Sequence, residues 1–284
     1  MIDTIKNIAV AGAGAMGAGI AQVFAQAGYN VRLFDLAPAQ LDKAGAAIAA
    51  NLSGAVAKGK LSEQEKNDTI SKIQYTGDIN TLVAEVVIEA IIEKLEVKKE
   101  LFKKIAAINP ATTILASNTS SIPITQIAAG IPDPCRVVGM HFFNPVHIMK
   151  LVEVIPGAET STEVTETMKA LTIKIGKTLV VAKDSPGFIV NRVARHYYVE
   201  SLLMLEERVA TVEHIDALME SAGFRMGPFT LMDAVGNDIN FAVTSSLYQS
   251  FHQDPKFRPS RIQQQKVDAG HFGKKSGKGF YNYS

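Results

Sequence analysis

Hydrophobic positions in the first half of the chain alternate between short apolar runs of strand length and longer stretches with helical spacing. Residues 5–11 form the first apolar run, which passes straight into Gly12-Ala13-Gly14-Ala15-Met16-Gly17 and a helical stretch. A second run, Val31-Arg32-Leu33-Phe34, follows that helix and stops at Asp35. Pro38 suits the first turn of a helix reaching to about Lys58. Ser62 and Glu65 have the spacing of a capping box, so a second helix follows and the two predict a helical hairpin inserted after the second strand. Further strands are predicted at residues 86–90, 113–116, 137–140, 151–155 and 178–182, with a charged amphipathic helix over 93–108. Strand and helix in alternation predict an α/β domain with a Rossmann-type, mostly parallel sheet.

From Ser185-Pro186-Gly187 onward only the helical period remains. Residues 188–208 read as one long helix and 212–222 as a second, with Thr211 near its cap; helical patterns continue to Asp268. The chain therefore divides into a dinucleotide-binding domain, 1–184, and an all-helical domain, 185–284, with Ser185-Pro186-Gly187 as the hinge. A length of 284 residues suits two cores better than one.

The glycine turn narrows the chemistry. Gly12 permits the tight turn, Gly14 lets the backbone approach a pyrophosphate, and Gly17 lets the helix lie close to the strand. Ala15 and Met16 open the helix, whose unpaired N–H groups and positive dipole end point at phosphates. Asp35 stands about twenty residues further on, where a carboxylate accepts hydrogen bonds from a ribose 2′-OH and repels a 2′-phosphate. The expected cofactor is NAD rather than NADP. Arg32, three residues before Asp35, is the one residue that would reverse this by meeting a phosphate.

Composition adds mainly exclusions. A formal net charge of +1 with 20% charged residues carries no electrostatic footprint for nucleic acid or an anionic membrane. No apolar run is long enough to span a bilayer and no secretory leader precedes the first strand, so the expected location is cytoplasmic. Cys135 is the only cysteine, which rules out an intramolecular disulfide and a Cys-rich metal site; a small semi-buried residue is expected there. No metal site is expected.

An enzyme that oxidises an alcohol with NAD needs a base for the hydroxyl proton, and histidine titrates in the right range. Of the six histidines, His141 follows a predicted strand at its carboxyl end, where ligands of open α/β sheets bind. It is either that base or a structural histidine bonded at a strand end; His147, beyond Pro145, is the weaker candidate. Glu153 stands inside the apolar run Leu151-Val152-Glu153-Val154-Ile155, where it either pairs with a histidine or faces water on an edge strand. Ser117-Asn118-Thr119-Ser120-Ser121 offers hydroxyls and an amide to a substrate, or caps a helix ahead of Pro123. Asn191 sits inside the predicted helix, an unfavourable place for asparagine that suggests a contact role.

Together these segments, with Ile88-Glu89-Ala90-Ile91-Ile92-Glu93, His141 to Pro145, Asp184 to Arg192, Met226-Gly227-Pro228-Phe229 and Phe272 to Tyr281, resemble the L-3-hydroxyacyl-CoA dehydrogenase family over nearly the whole chain. The resemblance implies NAD(H)-dependent interconversion of short-chain 3-hydroxyacyl-CoA and 3-ketoacyl-CoA. It implies His141 as general base, Glu153 as its orienting partner, and Ser120 and Asn191 at the thioester and 3-hydroxyl end of a substrate lying between the domains. Asn144 would lie beside the nicotinamide, Glu93 and Lys98 would join Asp35 in holding the cofactor, and Lys275 would close on it. Ser53 and one of Lys58 or Lys60, on the helical insertion, are implied contacts to coenzyme A; solvated helix-end lysines are the plain alternative. A homodimer through the helical domain is also implied. Two other readings remain at this point: a dehydrogenase of free hydroxy acids or sugar acids, and an NAD-binding protein without catalysis.

Overall fold

A computed structural model describes residues 2–283. Contacts divide it into one unit ending at Ser185 and a second beginning at Pro186.

The first unit is built on an eight-stranded sheet. Its strands are β1 (Asn7–Ala11), β2 (Asn30–Phe34), β3 (Ile73–Thr76), β4 (Val86–Glu89), β5 (Ile114–Ser117), β6 (Val137–Phe142), β7 (Leu151–Pro156) and β8 (Thr178–Val181), in the spatial order 3-2-1-4-5-6-7-8. β1 to β6 run parallel to one another. β7 runs antiparallel to β6 and carries β8 parallel to itself, so the last two strands are reversed. The order reverses direction at β1, from which the chain first winds outward to β3 and then returns to β4 on the other side. That reversal opens the crevice at the strands' carboxyl ends that the glycine turn faces.

Helices of this unit are α1 (Ala15–Gln26), α2 (Pro38–Ala57), α3 (Glu63–Ser71), α4 (Leu95–Ile108), α5 (Ile124–Ala128) and α6 (Thr162–Lys174). α1 is apolar nearly all round because it is covered; Ile20, Ala21 and Phe24 are fully buried against the sheet residues Val10, Leu33 and Met140 of one core. Each large apolar side chain so covered contributes roughly 1.5–3 kcal/mol. α2 and α3 form the expected hairpin, and Pro38 opens α2 at its first turn. Ser62 accepts from the Glu65 N–H while the Glu65 carboxylate accepts from the Ser62 N–H, completing the capping box.

Three details depart from the sequence reading. β3 was absent from the pattern: a four-residue edge strand with exposed Gln74 and Tyr75 makes no apolar run. α4 starts at Leu95, which leaves Glu93 in the loop before it. Cys135 lies exposed, not semi-buried, in a 3-10 turn, Pro134–Arg136. No helix among the described residues is long and apolar enough to cross a membrane.

The second unit holds α7 (Val190–Glu206), α8 (Val212–Ser221), α9 (Pro228–Val235), α10 (Asn237–Ser250) and α11 (Arg261–Asp268). Tyr198, Leu202, Ile215, Phe229 and Met232 form its core. Two buried aspartates bind its polar backbone. Asp216 accepts from the Phe229 and Thr230 N–H groups at the start of α9 and from the Tyr281 hydroxyl, at 2.8–2.9 Å. Asp233 accepts from the Phe280 and Tyr281 N–H groups and the Tyr283 hydroxyl, at 2.9–3.0 Å. The glycine-rich run near the C-terminus is thus a fold element: a Cβ on Gly279 would lie 2.0 Å from the Asp233 carboxylate. Gly279→Ala is expected to destabilise the protein by about 1–3 kcal/mol, as overpacking does, measurable as a lowered denaturant midpoint.

Candidate active site

The glycine turn has the shape a pyrophosphate needs. Gly12 adopts φ +104°, and a Cβ there would strike the Ala90 carbonyl oxygen at 2.5 Å. A Cβ on Gly17 would fall 1.7 Å from the Gly12 carbonyl oxygen, so the helix comes this close to the turn only because Gly17 lacks a side chain. Gly14 has open space where a side chain would be, and no side chain caps α1, so its first N–H groups are not taken up by a cap. Asp35 lies at the carboxyl end of β2 and accepts from the Ala13 N–H at 2.9 Å and the Ala37 N–H at 3.0 Å. Arg32 is committed elsewhere: its guanidinium donates to the Thr81 and Val83 carbonyls in the segment leading into β4. The residues therefore fit a dinucleotide with a free 2′-OH.

β6 and β7 bring the acid–base candidates together. In their antiparallel register His141 lies directly opposite Glu153. His141 Nδ1 is 2.7 Å from Glu153 Oε2, with the histidine 5% and the glutamate 0% exposed. A carboxylate only accepts, so Nδ1 carries the hydrogen and Nε2 is the ring's proton acceptor. Because β7 lies between β6 and β8, the edge-strand reading of Glu153 does not hold. Phe143 packs against the imidazole with ring centroids 4.5 Å apart.

A buried ionic cluster supports the neighbouring turn. Lys98, only 1% exposed, bridges Glu89 at 2.5 Å and Glu93 at 3.1 Å. Glu93 Oε1 accepts from the Thr119 hydroxyl at 2.7 Å and from the Ser120 and Ser121 N–H groups at 2.8 and 3.1 Å. Burial opposes its ionisation, but the Lys98 charge and these hydrogen bonds outweigh it and hold its pKa below the ordinary glutamate range. Asn118 accepts from the Phe142 N–H at 2.8 Å, tying this turn to the strand of His141. The turn does not cap α5. Asp184 does that from sixty residues away, accepting from the Ile124 and Thr125 N–H groups at 2.7 and 2.8 Å.

Other expected residues fall in different settings. Lys98 reaches two carboxylates inside the fold rather than open space. Asn144 is exposed and precedes a cis bond to Pro145. His147 is also exposed, and partial burial and the nearby Lys177 charge lower its pKa. Ser53, Lys58 and Lys60 are exposed on the α2–α3 hairpin. In the second unit Lys275 pairs with Asp238 at 2.7 Å. Asn191 lies in the first turn of α7, not mid-helix, so helix propensity says little about it. Glu89 was not singled out from the sequence as a functional residue; its signal was a carboxylate ending the apolar strand Val86–Glu89.

An open doubly wound sheet with this turn and acid defines a dinucleotide-binding protein of the Rossmann class. The family model described as 3-hydroxyacyl-CoA dehydrogenase, NAD binding domain, matches residues 7–185, and that for the 3-hydroxyacyl-CoA dehydrogenase C-terminal domain matches 187–283. The chain belongs to the 3-hydroxyacyl-CoA dehydrogenase family, whose N-terminal domain binds NAD. It is 48% identical over its whole length to 3-hydroxyadipyl-CoA dehydrogenase of Escherichia coli K12, of which it spans 60%. It is 44% identical to a probable 3-hydroxybutyryl-CoA dehydrogenase of Bacillus subtilis 168, with 98% of each chain covered. Among solved structures, (S)-3-hydroxybutyryl-CoA dehydrogenase from Ralstonia eutropha superposes with a TM-score of 0.94 at 39% identity, covering 99% of this chain and all of that one.

The depressed pKa of Glu93 has a pH consequence. Its ionised form is favoured by folding, so the stabilisation is present above the ordinary value of 4.5 and is lost as pH falls through the lower folded value. Denaturant titrations below pH 5 are expected to show a loss of stability in the wild type that is smaller in Glu93→Gln.

Proposed function

We propose that the chain catalyses the NAD(H)-dependent interconversion of short-chain (S)-3-hydroxyacyl-CoA, such as 3-hydroxybutyryl-CoA, and the 3-ketoacyl-CoA, such as acetoacetyl-CoA. The observation that carries this reading is the buried His141–Glu153 pair on β6 and β7 of an NAD-binding sheet. Gly12, Gly14, Ala15, Met16 and Gly17 would hold the pyrophosphate and Asp35 the adenine ribose, while Glu93, Asn144 and Lys275 are the further cofactor contacts. Bound NAD(H) supplies or removes the hydride at substrate C3. Nε2 of neutral His141 takes the hydroxyl proton during oxidation and returns it to the developing alkoxide during reduction. Glu153 holds Nδ1–H, which fixes the tautomer, and its negative charge stabilises the imidazolium. Burial of the pair, at 5% and 0% exposure, strengthens that interaction. Ser120 and Asn191 are assigned to the thioester and 3-hydroxyl end by family resemblance.

Purified protein is expected to consume NADH with acetoacetyl-CoA. His141→Ala should lower kcat by about 10²–10⁴-fold, the usual contribution of a positioned acid–base group, while NADH binding by fluorescence titration stays intact. No turnover with any 3-ketoacyl-CoA sinks the proposal. A free-acid dehydrogenase, the rival reading, would act on 3-hydroxybutyrate as readily as on its CoA ester.

The α2–α3 hairpin is the proposed coenzyme A contact, through Ser53 and Lys60. A solvent-exposed ion pair contributes up to about 1 kcal/mol, so Lys60→Ala should raise the KM for acetoacetyl-CoA by up to about five-fold and leave that for NADH unchanged. The second unit also exposes Val193, Val209, Leu218 and Phe224, each at least half accessible, which supports a homodimer formed through it. Light scattering at the mass of a single chain would remove that assignment.

A further inference from the structure

Glu89 has no part in the mechanism above, yet it is a fully buried carboxylate at the carboxyl end of a central strand. Burying such a charge is costly unless every lone pair is used. Its partners show where that investment goes. Oε1 accepts from Lys98 Nζ at 2.5 Å and from the Ile91 N–H at 2.8 Å, and Oε2 accepts from the Ser117 hydroxyl at 2.6 Å. Ser117 Oγ in turn accepts from the Thr119 N–H at 3.2 Å, and the Glu89 carbonyl accepts from the Asn118 N–H at 2.8 Å. Glu89 therefore grips the 117–121 turn directly at its start. Through Lys98 it also orients Glu93, which grips the same turn at Thr119, Ser120 and Ser121.

We propose that Glu89 is a positioning residue for the dehydrogenase reaction: by sharing Lys98 with Glu93 and holding Ser117, it fixes both ends of the turn that presents Ser120. The inference rests on the functional reading above for its kinetic part only. The geometry explains why two carboxylates share one ammonium here. Glu93 lies in the loop before α4, and Lys98 on α4 ties it, through Glu89 on β4, to the rigid sheet.

Glu89→Gln removes the charge that Lys98 pairs with and replaces one acceptor oxygen by an NH2 donor, so the Lys98 bridge is weakened and Ser117 can be held only with its hydrogen bond reversed. The amides of Thr119, Ser120 and Ser121 are expected to exchange with deuterium at least about ten-fold faster, as local opening becomes cheaper. With acetoacetyl-CoA and NADH, kcat should fall by roughly 10- to 100-fold, the scale of a misplacement near 1 Å, while NADH affinity, in which Glu93 shares, falls by a clearly smaller factor. Ser117→Ala breaks only the direct grip and should move the same quantities less; combined with Glu89→Gln it should add little, because the two share one network. Unchanged amide exchange in Glu89→Gln overturns the proposal, as does a fall in kcat matched by an equal loss of NADH affinity. If Glu89→Gln does not fold, unchanged exchange at Thr119 in Ser117→Ala overturns it. A wild-type chain that turns over no 3-ketoacyl-CoA defeats the functional reading instead, and the exchange rates still decide the role of Glu89.

Discussion

Glu153 sits at 0% exposure between apolar neighbours in the middle of a sheet, so its charge depends on a partner supplied by the fold. The partner is His141, and the pairing exists because β7 runs against β6 in a register that sets the two residues face to face. A parallel β7 would have required a long crossover and would have staggered the pair. The chain instead reverses within the short segment between Phe142 and Leu151, which also carries Asn144. One antiparallel pairing in an otherwise parallel sheet thus converts two burial costs into an oriented imidazole.

The same economy recurs wherever this protein buries charge. Glu89, Lys98 and Glu93 satisfy one another and then spend their remaining lone pairs on the turn after β5. Asp184 caps α5 across sixty residues, and in the second unit Asp216 and Asp233 collect the backbone and tyrosine hydroxyls of the C-terminal segment. In each case a carboxylate, buried at Glu89, Asp216 and Asp233 and more open at Glu93 and Asp184, accepts from backbone N–H groups outside the regular helix and strand bonds. Such groups hold irregular segments in one geometry, and irregular segments carry the candidate chemistry.

Much of this was legible along the chain because it is local. The Gly12 to Gly17 turn, the Ser62–Glu65 box, the apolar strands and the change of period near Ser185 each depend on residues a few positions apart. Where the signal was short or polar it failed: β3 is four residues with one buried side chain, and α4 begins two residues after the charged pattern does. Asn191 was weighed as a mid-helix anomaly, but the helix starts at Val190 and removes the anomaly.

Residue order by itself determined the sheet-and-helix alternation, the dinucleotide turn and acid, and the suspicion that Glu153 needed a partner. Family resemblance named His141 as that partner; only the tertiary structure decided that strand register sets the two face to face, that Arg32 turns to the Thr81 and Val83 carbonyls, that Lys98 bridges two carboxylates, and that Gly279 packs on Asp233. The division has a physical cause. Periodicity and turn chemistry are set by neighbours in the chain, whereas burial and the pairing of charges depend on strand register and on side chains brought together from distant positions.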